Sequence, residues 1–200
     1  MKIPSMIKRW SDHIVSVVTN PKKFFTKIVA DGNMEESMLK AFFYGLLGGA
    51  LVLLIRSLTG NDIGFSILFV QLIVVPVLAV VLLFVLSGLL MMISEITGGE
   101  RDWEIAVKGL ASVFFMYPVI LVLNSLAWNC ASLWAASIIV DAYVLFLIYN
   151  IAIYCMKGKR VLVTIVIGVF ALFIVTIYST QYRYGWFDVK NHLAMIECKV

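Results

Sequence analysis

At 200 residues, 62% hydrophobic and only 14% charged, the chain carries more apolar side chain than a soluble fold of its size can bury. Disorder, a disulfide scaffold, a repeat solenoid and a free cytosolic enzyme each need polar surface, cysteines or a period that this chain lacks. The net charge of +4 does not point to nucleic acid, because the basic residues flank apolar runs; they read as topology signals, and the lipid bilayer is the expected partner.

Residues 1–38 form an amphipathic N-terminal segment. No apolar run followed by a small-residue cleavage site occurs in it, so a cleavable signal peptide is not expected. Ile3, Met6, Ile7, Trp10, Ile14, Val17 and Val18 recur at helical spacing, with Lys8, Arg9, Asp12 and His13 opposite and Pro4 in the first turn. This pattern predicts an interfacial helix. Asn20-Pro21 should stop it, and Phe24, Phe25, Ile28 and Val29 pair at i,i+4 in a second short helix. Asp31-Gly32-Asn33 then predicts a turn, and Asn33 with Glu36 has capping-box spacing.

A helix needs about 20 apolar residues to cross a bilayer, and five stretches qualify: 39–58, 65–93, 105–127, 131–156 and 161–180. The expected fold is therefore all-α, a polytopic membrane protein with a bundle of five transmembrane helices. Gly98-Gly99 should end the second span and Asp102 should cap the third. Twelve Lys and Arg fall on the side of the N-terminus and four on the other. The positive-inside rule then predicts a multi-pass protein of the cell membrane, N-terminus cytoplasmic, residues 181–200 forming an outer tail. Trp10 and Trp103 at one interface, and Trp128, Trp134 and Trp186 at the other, fit the same arrangement.

Asp141 is the one acidic side chain deep within a predicted span, where a carboxylate is costly. It reads either as an ion, proton or substrate site or as a fastener between spans, with Gln71, Asn124 and Tyr117 as candidate partners at similar depth. Arg56 reads as a snorkelling anchor. Pro76 and Pro118 should bend their helices, as hinges or as ordinary bundle kinks. Gly45 and Gly49 form a GxxxG pair suited to close helix contact, within the chain or in a homo-oligomer. Cys130, Cys155 and Cys198 show no CxxC spacing, and His13 and His192 lie far apart, so no metal site, cofactor or catalytic residue is expected. Cys130 and Cys198, on one predicted side, are compatible with a disulfide or with free thiols. HExxH, GxSxG and P-loop motifs are absent from the sequence.

The run Asn20-Pro21-Lys22-Lys23-Phe24-Phe25, a short amphipathic stretch, five spans, the Gly98-Gly99 loop and Tyr117-Pro118 in the middle of the third span together resemble the Ypt-interacting protein (YIP) family domain. The resemblance runs from about Pro21 to Thr180. It implies five spans, a cytoplasmic N-terminus and a non-enzymatic role in interaction or membrane organisation, with Rab-type GTPases as partners of eukaryotic members. This chain lacks their acidic Asp-Leu-Tyr-Gly-Pro-type motif, so GTPase binding is not carried over, and neither is any functional residue. The rival expectations are a small transporter or channel using Asp141, and an accessory subunit bound to other membrane proteins.

Overall fold

The computed structural model describes the backbone of residues 3–27, 33–60, 62–127 and 133–187, and within these the side chains of 10–27, 33–60, 62–126 and 136–176. Every regular element among the described residues is helical. The Asp31-Gly32 turn, Trp128, Asn129, Cys130 and Cys198, and the side chains of Trp134, Trp186 and the residues before Trp10, lie outside what is described.

Helix α1 (Ile3–Thr19) ends where Asn20 precedes a proline, a position that disfavours α geometry. The Asn20 Oδ1 accepts a hydrogen bond from the Lys23 N–H at 3.2 Å, and Pro21 opens α2 (Pro21–Lys27) at the position where a missing N–H is harmless. Helix α3 (Met34–Leu58) begins at Asn33, whose side chain accepts from the Glu36 N–H at 2.9 Å. That cap starts the helix five residues before the apolar run at Leu39. Gly60, at φ +71°, lies just past its end in a conformation that favours glycine.

Helix α4 (Phe65–Ile96) is 32 residues long and holds the most apolar 18-residue stretch of the candidate spans, with mean hydropathy 3.1. Its turn Val70–Val74 is π-helical, and the Val75 N–H reaches back to the Val70 carbonyl. Pro76 follows directly. A proline ring collides with the carbonyl one turn earlier and offers no donor, and a widened turn relieves both conflicts. Asp102 caps α5 (Trp103–Ala111) through the Ile105 N–H at 3.1 Å.

The third predicted span is broken. Helices α5 and α6 (Met116–Ala127) are bent 53° apart across a run of tight i→i+3 turns, and Pro118 sits in the first turn of α6. Helix α7 (Leu133–Asn150) passes into a second π-helical turn, Ile151–Cys155. The last helix among the described residues, α8 (Arg160–Phe187), has 28 residues. Among the described residues three helices are long and apolar enough to cross a membrane, within Met34–Leu58, Phe65–Ile96 and Ala136–Cys155; the bent α5–α6 pair makes a fourth if counted as one span. In α8 the apolar stretch within the described side chains, Arg160–Thr176, is shorter.

Helix α3 lies between α4 and α6 because its glycines let both neighbours approach. A methyl group at Gly45 would stand 2.7 Å from Pro76 Cα, and one at Gly48 would stand 2.7 Å from Leu121 Cδ1 and 3.2 Å from Pro118 Cα. At Gly49 it would run into the Gln71 carbonyl oxygen. On the outer flanks α7 packs on α6, while α5 packs on α4 and meets the π-turn after α7, where Gly109 faces Ile151. Many of the most deeply buried side chains, among them Phe25, Leu90, Val107, Ile151 and Met156, gather at the end of the bundle where α1 and α2 dock.

Candidate functional site at the clasped end of the bundle

Two loops interlock at that end. The segment after α4, Thr97 to Asp102, and the segment after α7, Met156 to Lys159, exchange backbone hydrogen bonds: the Glu100 N–H donates to the Met156 carbonyl at 2.6 Å, and the Lys159 N–H to the Thr97 carbonyl at 3.1 Å. Ser94, fully buried, donates its hydroxyl to the Glu100 carbonyl at 2.7 Å, and buried Thr97 donates to the Ser94 carbonyl at 3.1 Å. These bonds remove the cost of burying two hydroxyls beneath the loops.

The contact needs glycine. A Cβ at Gly99 would strike the Met156 carbonyl oxygen, and one at Gly158 would stand 2.7 Å from the Thr97 hydroxyl. Across the outer surface the Lys157 ammonium closes on the Glu100 carboxylate at 2.6 Å.

The N-terminal segment is seated against this clasp. Phe25 is completely buried, and its carbonyl accepts a hydrogen bond from the Cys155 thiol at 3.2 Å. Phe24 packs edge-on to both Phe25 and His13, which joins α2 to α1. Trp10 donates its indole N–H to Glu36 Oε1 at 3.1 Å and rests its ring edge on Phe43. Glu36 also holds Lys40 at 3.2 Å, so the side chain that the capping-box spacing assigns to helix initiation ties α1 to α3. Lys22 places its ammonium 5.7 Å from the centre of the Tyr154 ring, a cation–π contact.

This arrangement changes the reading of the α1 stripe. Trp10 and Val17 are buried and Ile14 is half-buried inside the protein, while Val15 and Val18 are exposed. Part of the predicted lipid-facing stripe is therefore spent on internal packing.

Beside α1, an open cleft of about 650 Å³ separates the starts of α3 and α5. Asn33, Glu35, Arg101, Asp102 and Glu104 contribute to its walls. Arg101 leans toward Glu95, at 3.3 Å, and Glu104 holds Lys108 at 2.9 Å, so these two charges already have partners from this chain.

The predicted intramembrane site is spread over separate helices. Gln71 lies half-buried in the π-turn of α4, with its carbonyl against Gly49. Tyr117, half-buried near the start of α6, stacks on Phe114 at 5.9 Å. Asn124 is exposed near the end of α6, and Asp141 is half-buried in α7. The Gln71 turn packs on α3 and α7 packs on α6, so α3 and α6 stand between Gln71 and Asp141. Gly45 and Gly49 both face α4, beside Pro76 and Gln71.

Arg56 is half-buried near the end of α3, and its Nε is shielded without a hydrogen-bond partner. Among the described residues no three His, Cys, Asp or Glu side chains form a metal-binding group.

Sequence reasoning missed Phe25 as an anchor, Cys155 as its partner, Gly48 as the contact to α6, and the Ser94–Thr97 clasp. One signal for the clasp is present locally: Ser94, Thr97, Gly98 and Gly99 close one apolar run, and Gly158 sits between two lysines after another. No protein-family model, curated protein or solved structure matches this chain.

Proposed function

We propose that this chain is a non-enzymatic, five-span integral membrane protein of the YIP type, with its N-terminus cytoplasmic, that serves as an interaction or membrane-organising module. The observation that carries the reading is the seating of α1 and α2 on the clasped loops. Phe25, Trp10 and Val17 are drawn inward, and Ser11, Asp12, Lys22, Lys23 and Lys27 are left exposed on one polar platform at the end of the apolar helices. The short motifs shared with the YIP domain and the Lys/Arg asymmetry support the same assignment. Helix α8 is its fifth span.

Transport through Asp141 draws less support, because α3 and α6 stand between it and Gln71. Two experiments test the proposal. Single cysteines introduced into a background with Cys130, Cys155 and Cys198 replaced are probed on intact cells with a membrane-impermeant thiol reagent. Labelling is expected at positions 62 and 190 and protection at 23, 99 and 158; the reverse pattern overturns the orientation. Purified protein in liposomes is expected to pass no protons or ions, while a photo-crosslinker at position 12 or 23 in native membranes yields a discrete adduct. Ion flux abolished by Asp141→Asn, with no adduct, overturns the module in favour of the transporter.

A further inference from the structure

Charge at the clasped end is divided unevenly. Lys40, Arg101, Lys108 and Lys157 each hold a carboxylate, from Glu36, Glu95, Glu104 and Glu100 respectively. Helix α2 differs. It contains no acidic residue, it turns Phe25 inward and Phe24 toward His13, and it leaves Lys22, Lys23 and Lys27 exposed, with no carboxylate partner among the described residues.

Docking brings Lys22 of this helix to the residues just before α8. Tyr154 lies under the Lys22 ammonium, and Arg160, the first residue of α8, faces the phenols of Tyr149 and Tyr154. Immediately beyond Arg160, Val161, Leu162 and Ile165 are exposed. Helix α2 therefore reaches, through Lys22 and Tyr154, the foot of a helix that exposes Val161, Leu162 and Ile165.

We propose that α2 and the first turns of α8 form a seat for an anionic phospholipid, with the phosphate held by Lys22, Lys23, Lys27 and Arg160 and the acyl chain lying along Val161 and Ile165. A free anion would use only the cations; a lipid uses both halves of the surface, and lysines that hold no carboxylate among the described residues attract an anionic leaflet. The seat exists only when α2 is docked, because residues 22–27 and 154–165 are far apart in the chain. The inference rests on the membrane reading above and names the partner of its polar platform.

The test uses the full-length protein in nanodiscs of phosphatidylcholine doped with photoactivatable phosphatidylglycerol, with adducts mapped by mass spectrometry. Adducts are expected on α2 and the start of α8. Each lysine near an anionic surface is worth about a fivefold change in binding, so K23Q/K27Q should cut labelling by at least about tenfold. K23R/K27R should keep it, and R101Q/K108Q, which removes the same charge from paired positions, should change it little.

Equal losses in both Gln pairs would reduce the seat to diffuse surface charge and overturn it. So would full competition by soluble glycerol phosphate, which would leave an anion site without a lipid. Correct insertion with no preference for phosphatidylglycerol overturns the seat alone. Failure to insert, seen as thiol accessibility along α3 and α4, overturns the membrane reading and the seat with it.

Discussion

The α3–α4–α6 seam and helix α8 are both apolar, yet they pack in opposite ways. In the seam three glycines bring backbones into contact, and Gly45, Gly48 and Gly49 are all buried. Helix α8 carries bulkier residues and, although Val163 is buried near its start, leaves most of its described length uncovered: Val161 is 72% exposed, Leu172 69% and Phe173 63%, and nothing lies within 4 Å of where a Gly168 side chain would stand. In a hydrocarbon solvent, bulk apolar surface gains little by leaving lipid for another helix, whereas small residues permit the close van der Waals approach that holds helices together. Hydropathy identifies what enters the bilayer. Side-chain size decides what associates there.

The sharpest way to break this contrast is Gly49→Leu, which forces a side chain into the Gln71 carbonyl. The backbone cannot yield as a flexible side chain would, so a loss of at least about 3 kcal/mol is expected, read as a collapse of the thermal midpoint in detergent. Phe25→Ala probes whether bulk does bind where the neighbours are interlocked loops instead of lipid. Removing this fully buried ring should cost about 3 kcal/mol, and limited proteolysis should then release residues before α3 while α3 to α7 stay protected.

A smaller effect is expected at Gly48→Ala, where the nearest atom is the mobile end of Leu121. A loss of about 1 kcal/mol, at the low end for overpacking, with α3 and α6 still in contact by cysteine crosslinking, would show that side-chain yielding absorbs the methyl. Gly168→Ala should do least. Its site is open, and alanine favours helix over glycine by about 1 kcal/mol at most, so the midpoint should hold or rise slightly. A marked fall there would mean that α8 has a packed partner and would overturn the contrast.

Local signals were legible because they act within a few residues. Asn20-Pro21 separates α1 from α2, Asn33 and Asp102 cap α3 and α5, and Gly98, at φ +70°, follows α4. Each is a hydrogen bond or a backbone preference settled by neighbours in sequence. The apolar runs that became α3, α4 and α7 were equally plain, since hydropathy is a property of the segment.

Only the tertiary structure decided partners. The stripe containing Trp10 and Val17 would satisfy a lipid surface as well as a protein one, and its burial depends on Glu36, Phe43 and the docked α2, which no local pattern names. The run predicted as one span bends 53° between α5 and α6, and Pro118 alone did not reveal where. Gln71, Tyr117 and Asp141 share a predicted depth, yet depth sets only one coordinate. Which helix faces which is fixed by Gly45, Gly48 and Gly49 admitting Pro76, Leu121 and Gln71, a matter of shape across long sequence separations. Composition and periodicity therefore determined an all-helical, apolar chain with its caps and breaks, while the packing geometry chose the neighbours, because contact energies depend on the fit of two surfaces and a sequence displays only one at a time.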